Sequence, residues 1–402
     1  MSATVLFAGG GTGGHVFPLI ALAEAFGRLA PQLDVRFVGS ANGIEARVVP
    51  ARGWPLDTLP AEPLKGRSAF GVLRGSAIAM AATAVATKLI AQHRPRLIVS
   101  VGGYAAGPIS LAGATLGVPI ALLEPNLTTG LTQRLLTPIA RRVYVGFVES
   151  LQGLGAKGRA LGVPLRTGFV PTSCHERGER DAVRVLVIGG SQGAEHLNST
   201  LPSAIARLAK TQRLTVLHQA GPGRGAEVTK RYARAFDAEA ARALDKDASE
   251  DDLERARRKG PATIPVEVVD FLDDVASKLA DADLVVSRSG AGSCAEICAV
   301  GRAAILVPYP HAADDHQAAN AEALVRAGAA IAMRQDVATV EAIADAVRAL
   351  AEDGPRRRAM GDAARARGIP DASERIARDL LELIGVAPRS SDPTRPARGE
   401  VR

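Results

Sequence analysis

The chain has 402 residues, 47% of them hydrophobic and 23% charged, which is the balance of a globular protein long enough for two or three domains. Aromatic residues make up only 3%, so the core must be built from Ala, Val, Leu and Ile, and the three cysteines, Cys174, Cys294 and Cys298, fit neither a disulfide framework nor a zinc pattern. A formal net charge of +7 calls for an anionic partner, whether nucleic acid, phosphate groups or a membrane face.

Residues 4–8 read as a buried strand, and Gly9 through Gly14 as a glycine turn opening a helix over 16–26. No basic start precedes the apolar run, so no signal peptide is expected. Gly9, Gly11 and Gly14 match the dinucleotide spacing, which asks for an acid at the end of the next strand to bind a ribose. That strand, residues 34–40, ends in Gly39-Ser40 and carries no such acid, so a nicotinamide or flavin site is not expected. What survives is close backbone approach at a helix N-terminus, suited to a phosphate or a polar sugar edge; a plain tight turn is the alternative. His15 follows the turn, with Pro18 expected in the first helical turn. The helix dipole disfavours an imidazolium there, leaving a neutral ring able to accept a proton; a capping role is the other reading.

Residues 64–74 interleave Phe70, Val72 and Leu73 with Lys65, Arg67 and Arg74, a pattern for peripheral docking on an anionic membrane or for an ordinary solvated loop and core helix. Residues 97–123 carry no charge, yet seven Gly and Pro positions punctuate them. A strand, a turn, a short helix and a second strand account for them better than a membrane span. Gly102-Gly103-Tyr104 and Glu124-Pro125-Asn126 end those strands; Asn126 is suited to a sugar or amide, and Glu124 is either an acid of raised pKa or a partly buried structural residue.

Periodicity lapses over 167–181, the expected linker. Residues 183–188, Gly189-Gly190-Ser191-Gln192-Gly193 and a helix over 197–208 then repeat the opening device. The recurrence predicts an α/β chain of two Rossmann-like domains facing one another across a cleft. Residues 224–259 read as a solvated helical insertion. Residues 284–290 run from strand to turn into a helix that Gly301 ends, with Glu296 about one turn in. A carboxylate there suits a ribose diol, or merely complements the helix dipole. His311, Asp314, His316 and Gln317 crowd a strand-end loop, but no second cluster has metal-ligand spacing, so no metal site is expected. Asp371 to Ser373 are placed to cap a last helix with Ile376, Leu380 and Leu383 or Ile384 on one face, and 387–402 reads as a disordered tail.

Taken together, Gly10-Gly-Thr-Gly-Gly-His15-Val-Phe-Pro18, Gly102-Gly-Tyr104, Glu124-x-Asn126, Gly189-Gly-Ser-Gln-Gly-Ala194, Arg288-Ser-Gly-Ala291 with Glu296, and His311 to Gln317 with Asn320 resemble one family. It is the MurG family of UDP-GlcNAc:undecaprenyl-pyrophosphoryl-MurNAc-pentapeptide GlcNAc transferases, which convert lipid I to lipid II. The motifs occur in family order over roughly 4–385. The resemblance implies a GT-B fold, with an acceptor and membrane-facing domain at 1–166, a UDP-GlcNAc-binding domain at 167–368, and a helix at 369–386 packing back on the first domain. It implies donor-sugar contacts at Thr12, Gly13, Gly14, Asn126 and Gln317, and nucleotide contacts at Arg166, Ser191 and the Leu272 backbone. Phosphate and ribose contacts fall at Ala291, Gly292, Ser293, Cys294, Ala295 and Glu296. His15 is the candidate base and no cofactor is expected. The implied partners are UDP-GlcNAc, lipid I, the anionic cytoplasmic face of the bacterial inner membrane and other cell-wall synthesis proteins. The chain departs from the family at Pro125, where Gln is common, and at Val163, where Asn is. A related sugar-nucleotide enzyme, such as a 2-epimerase or a diacylglycerol glycosyltransferase, is the nearest rival. A nucleic-acid-binding protein would need aromatics interleaved with a basic patch, which the chain lacks.

Overall fold

A parallel sheet covered on both sides demands strands apolar on both faces, and β1 (Thr4–Gly9) is built that way. Val5 and Phe7 lie in one core, Leu6 and Ala8 in another. The structure, a computed structural model, describes residues 3–60, 69–173, 181–190, 192–243 and 264–389, with the backbone alone described at 69–80 and 243. The chain divides into two units, Met1–Thr167 with Ile369–Arg402, and Gly168–Gly368.

In the first unit β1 is followed by α1 (Gly13–Leu29), β2 (Asp34–Ser40), α2 (Glu45–Val48), β3 (Leu56–Leu59), α3 (Ala69–His93), β4 (Leu97–Gly102), α4 (Ala106–Thr115), β5 (Ile120–Glu124), α5 (Leu131–Leu136), β6 (Arg142–Val145) and β7 (Gly158–Arg159). Among the described residues the strands form one parallel sheet in the order β3-β2-β1-β4-β5-β6-β7. Direction reverses between β1 and β4, so the turns after these two strands sit at the switch point where such sheets bind ligands. The register slips between Ala8 and Gly9, which brings Gly9 opposite Gly102 and starts both turns together. The uncharged stretch is β4, α4 and β5, a buried core and not a span. Phe7 packs edge-on to Phe26 at 5.5 Å and stacks on Phe37 at 5.6 Å, gathering scarce aromatics at the centre of one face.

The second unit runs β8 (Val183–Ile188), α6 (Glu195–Leu208), β9 (Leu214–Gln219), α7 (Gly225–Ala243), β10 (Val266–Val269), α8 (Val275–Asp281), β11 (Leu284–Ser287), α9 (Ala291–Val300), β12 (Ala303–Leu306), α10 (His316–Arg326), β13 (Ala330–Ala332), α11 (Val340–Glu352) and α12 (Gly354–Arg367). Its strands are parallel in the order β10-β9-β8-β11-β12-β13, the Rossmann order, with the switch point between β8 and β11. The expected insertion is corrected here. Its first half is α7, a crossover helix that puts Val228 and Tyr232 into the core; residues 244–259 lie outside the described set. Arg302 is fully buried, and its guanidinium donates to the carbonyls of Leu279 and Ala280 at the end of α8 and of Thr172, at 2.9, 2.5 and 3.0 Å. The negative end of a helix thus receives the buried cation.

The last helix, α13 (Ala372–Leu383), belongs to the first unit and packs on α1, with Ile376, Leu380 and Leu381 fully buried. Asp379 accepts from the Tyr144 hydroxyl and from Arg142 Nε, pinning the helix to β6. The capping expectation is corrected. Asp371 occupies the cap position without a side-chain cap bond, and the Ser373 hydroxyl donates to the Leu165 carbonyl at 2.7 Å. The expected tail beyond residue 389 lies outside the described residues.

Candidate active site

At the first switch point α1 begins at Gly13, so Pro18 falls in its second turn and not the first; the N–H that would bond the Gly14 carbonyl is missing. Thr12 caps the helix in extended conformation, its carbonyl accepting from the His15 and Val16 amides, while its hydroxyl makes no cap bond. The N–H groups of Gly13 and Gly14 have no acceptor one turn back, as at any helix start. His15 is half-buried, and its Nδ1 lies 3.1 Å from the Gly10 carbonyl oxygen. A carbonyl has no proton to give, so Nδ1 carries the hydrogen and Nε2 is the basic nitrogen of the neutral ring.

The turn is packed from beneath. Gly11 N–H donates to Glu45 Oε2 at 2.8 Å, and the Ser40 amide and hydroxyl both donate to Glu45 Oε1 at 2.9 Å. Gly103, at φ +89°, comes so close that a Cβ on it would lie 2.8 Å from the Gly10 carbonyl oxygen. Tyr104 beside it is exposed. Glu124 is buried at the end of β5; its carboxylate accepts from the Asn126 amide and side chain at 3.0 and 3.3 Å and from Gly130 N–H at 3.0 Å. Burial pushes its pKa up and the three hydrogen bonds oppose the rise. The two readings left open for Glu124 meet in one residue: it is buried, its pKa is raised by that burial, and its carboxylate holds Asn126. Gln133, also buried, donates to the carbonyls of Ser100 and Leu123 and ties β4 to β5. Arg166 is half-buried near the end of this unit and Val163 is buried.

At the second switch point the glycine turn is held by Gln219, whose Oε1 accepts from Gly189 N–H at 3.1 Å and whose Nε2 donates to the Gly190 carbonyl at 3.1 Å. Ser191 lies outside the described residues. After β11, Arg288 is buried and donates to the carbonyls of Val307 and Pro308 and to Gln335 Oε1, with its guanidinium 5.5 Å from the Tyr309 ring centre. Ser289 donates to the Gln317 carbonyl, and Asn320 to the Ser289 carbonyl, locking α10 beside the α9 N-terminus. Gln317 Oε1 accepts from Tyr309 N–H at 3.0 Å. Asp314 and Asp315 hold the loop before α10 at φ +51° and +50°, a conformation Asp tolerates better than most side chains.

α9 opens at Ala291, and Cys294 N–H already bonds the Gly290 carbonyl, so Ala291, Gly292 and Ser293 supply the unspent N–H groups. Cys294 and Cys298 turn into the core, where burial pushes both thiols well up. Cys294 therefore offers neither a side chain nor an amide to a ligand. Glu296 is half-buried and stands beyond the first turn, which removes simple complementing of the helix dipole as its reason. Leu272 is buried and Phe271 beside it exposed. Lys65 and Arg67 lie outside the described residues; Phe70, Leu73 and Arg74 fall in the first turns of α3, where only the backbone is described. Among the described residues no group of three or more His, Cys, Asp or Glu is placed to hold a metal. Sequence reasoning missed Glu45, Gln133, Gln219 and Arg302, each of which has a partner 30 or more residues away. The signal for Glu45 was Gly39 and Gly43 shortly before it, one of them inside strand β2, where a glycine marks close approach by another group.

Two Rossmann-like units with glycine turns at both switch points have the architecture of the GT-B class, and two domain matches make the chain a glycosyltransferase. Residues 5–145 match the glycosyltransferase family 28 N-terminal domain and residues 184–376 the family 28 C-terminal domain. The chain is 45% identical over 390 residues to the UDP-N-acetylglucosamine–N-acetylmuramyl-(pentapeptide) pyrophosphoryl-undecaprenol N-acetylglucosamine transferase of Sorangium cellulosum, covering 96% of this chain and 89% of that one. It is 40% identical to the transferase of the same name from Alkalilimnicola ehrlichii over 387 residues, 95% of this chain and 99% of the relative. The crystal structure of Acinetobacter baumannii MurG superposes with a TM-score of 0.75 at 28% identity, covering 95% of this chain and 99% of that one. The chain belongs to the MurG family of N-acetylglucosamine transferases. A Listeria monocytogenes structure described as a putative UDP-N-acetylglucosamine 2-epimerase, at 13% identity and a TM-score of 0.62, shares the fold alone.

Proposed function

We propose that this chain transfers GlcNAc from UDP-GlcNAc to the muramyl 4-hydroxyl of lipid I, with inversion, giving lipid II. The acceptor oxygen forms the new bond to the anomeric carbon, its proton passes to His15 Nε2, and the bond to UDP breaks with the electron pair leaving on the diphosphate. The observation that carries this reading is the His15 ring, held at the start of α1 with Nδ1 on the Gly10 carbonyl, within a chain of this family. The Gly190–Gly193 turn with Ser191, and the amides of Ala291, Gly292 and Ser293, meet the developing charge, so no metal is obligatory. Glu296 takes the ribose diol, the Leu272 backbone the uracil, and Arg166 lies toward the nucleotide. Thr12, Gly13, Gly14, Asn126 and Gln317 hold the sugar; with Gln317 Oε1 engaged by Tyr309, its Nε2 supplies the donors. Ala295 stands between Cys294 and Glu296 in α9 and is half-buried.

The acceptor in the named relatives is carried on undecaprenol, which supports work at a membrane surface; docking is taken to be peripheral and on the cytoplasmic face. Among the described residues no helix is long and apolar enough to cross one. The +7 charge and the basic-apolar stretch at 65–74 support docking on an anionic leaflet. The test is incubation with radiolabelled UDP-GlcNAc and a lipid I analogue in the presence of EDTA. Labelled disaccharide-lipid is expected, falling about 10²- to 10⁴-fold in kcat for His15→Ala. UDP release or an epimerised sugar without transfer would overturn the reaction, and full activity in His15→Ala would remove the base.

A further inference from the structure

We propose that Glu45 is a positioning residue for this transfer, acting on the His15 ring through the Gly10–Gly11 peptide group; the catalytic part rests on His15 being the base. The Gly10 carbonyl and the Gly11 N–H are the two ends of one planar peptide unit. Glu45 Oε2 accepts from the N–H end at 2.8 Å, and the carbonyl end accepts from His15 Nδ1–H at 3.1 Å. Negative charge at the N–H end polarises the amide and enriches its carbonyl oxygen, so the first bond strengthens the second. Carboxylate, peptide and imidazole stand in series, as a carboxylate and imidazole do when bonded directly.

The space beneath the turn is shaped for this carboxylate. Glu45 is 1% exposed, and its other oxygen takes both Ser40 donors. A Cβ built on Gly10, Gly39 or Gly43 would lie 2.1, 2.6 or 2.2 Å from an atom of the Glu45 side chain, so three glycines, one in the turn after β1, one in β2 and one in the loop before α2, make its room. Three donors converge on two oxygens, and a Gln amide there would turn its own N–H groups against one of them. Other charges near α1 are placed elsewhere. β1 and β4 carry none; β2 carries Asp34 and Arg36 at its far end; α1 carries Glu24, paired with Arg52, and Arg28, both more than two turns beyond His15. α2 and the turn after it add Arg47 and Arg52, and α13 adds Glu374, Arg375, Arg378, Asp379 and Glu382, of which Asp379 is held by Arg142 and Tyr144. The N-terminus of α1 works against a cation on His15. Glu45 offsets that at the moment the ring takes the acceptor's proton, and holds the Nδ1–H tautomer that leaves Nε2 to take it.

The test compares the full-length enzyme with Glu45→Gln and Glu45→Asp, reading histidine ring nitrogens by NMR with 15N-labelled histidine, His15 being assigned by its substitution. The unmodified protein is expected to show His15 with hydrogen on Nδ1. In Glu45→Gln the ring's titration and the acid limb of kcat/KM move down together by about half a pH unit or more. There kcat falls about tenfold while KM for UDP-GlcNAc stays within about twofold, and Glu45→Asp lies between. A folded Glu45→Gln with an unmoved ring titration overturns the proposal, whatever its activity, because a merely structural brace lowers kcat without touching the ring. If neither variant folds, the unmodified protein still decides, since hydrogen on Nε2 there would remove the bond the proposal needs. Full transfer by His15→Ala, together with a shifted His15 titration in Glu45→Gln, would overturn the catalytic part of the proposal and keep the coupling.

Discussion

The two glycine turns share one backbone plan and differ in what holds them. The turn after β1 rests on the carboxylate of Glu45, which only accepts, while the turn after β8 rests on the amide of Gln219, which accepts from Gly189 and donates to Gly190 and to the Asp270 carbonyl. The Asp270 carboxylate is spent on the amides of Gly223 and Gly225 at the start of α7. A neutral brace leaves the positive end of α6 uncancelled, which favours a diphosphate. An anionic brace disfavours a diphosphate and favours a cation forming nearby. Strand, turn and helix thus give two turns of different electrostatic character, one with a carboxylate and one with a neutral amide beneath it.

The comparison can be broken first at the glycines. Gly193→Ala would put a Cβ 2.2 Å from the Ala220 carbonyl oxygen at φ +71°, against backbone that cannot yield. A loss of about 4 kcal/mol in denaturant unfolding is expected. Gly10→Ala meets the end of the Glu45 side chain at 2.1 Å, which can be displaced at the loss of its hydrogen bonds, about 2 kcal/mol. Equal losses would mean the two turns are braced alike.

Next in size is acid stability. Behind the second turn His218 is fully buried, between Asn198 Oδ1 at 3.1 Å and the Tyr232 hydroxyl at 3.0 Å. Burial pushes its pKa down to about 4. The unfolded chain therefore binds the extra proton between pH 6.5 and about 4, and stability falls through that window as pH drops, by about 3 kcal/mol. Thermal melts at pH 7 and pH 4.5 should show the loss in the native protein, and a flatter dependence in a His218→Gln variant that is weaker at pH 7. A variant as acid-sensitive as the parent would assign the effect elsewhere. The smallest expected change is at the brace itself. Gln219→Glu places a negative charge beneath the second turn, facing two carbonyls, and should weaken UDP binding by about tenfold, or 1.4 kcal/mol, in calorimetry. Unchanged affinity would separate that turn from the diphosphate.

Much of this was legible in the chain. The apolar runs, the glycine turns at 9–14 and 189–193, and Gly301 ending α9 at φ +82° are local patterns, and local sterics fix them. His15, Asn126, Glu296 and Gln317 could be singled out because strand-end turns and the helix starts that follow them come directly from that alternation. Cys294 could not be judged so, since only the rotation of α9 against its sheet buries it. The region after Arg224 looked solvated because Ala, Arg and Glu dominate it, while two residues, Val228 and Tyr232, were enough to seat α7 in the core.

By itself the sequence determined the two Rossmann-like halves, the places where the turns fall and the residue types near them. Those depend on contacts within one strand-helix unit. Tertiary structure decided what lies beneath each turn: Glu45 reaches Gly11 across 34 residues and Gln219 reaches Gly189 across 30. It also decided that α13 returns to α1 from the other end of the chain. The physical reason is the same for all three. A hydrogen bond or an apolar contact is made to whatever neighbour the strand order supplies, and that order is settled only when the whole sheet closes its core.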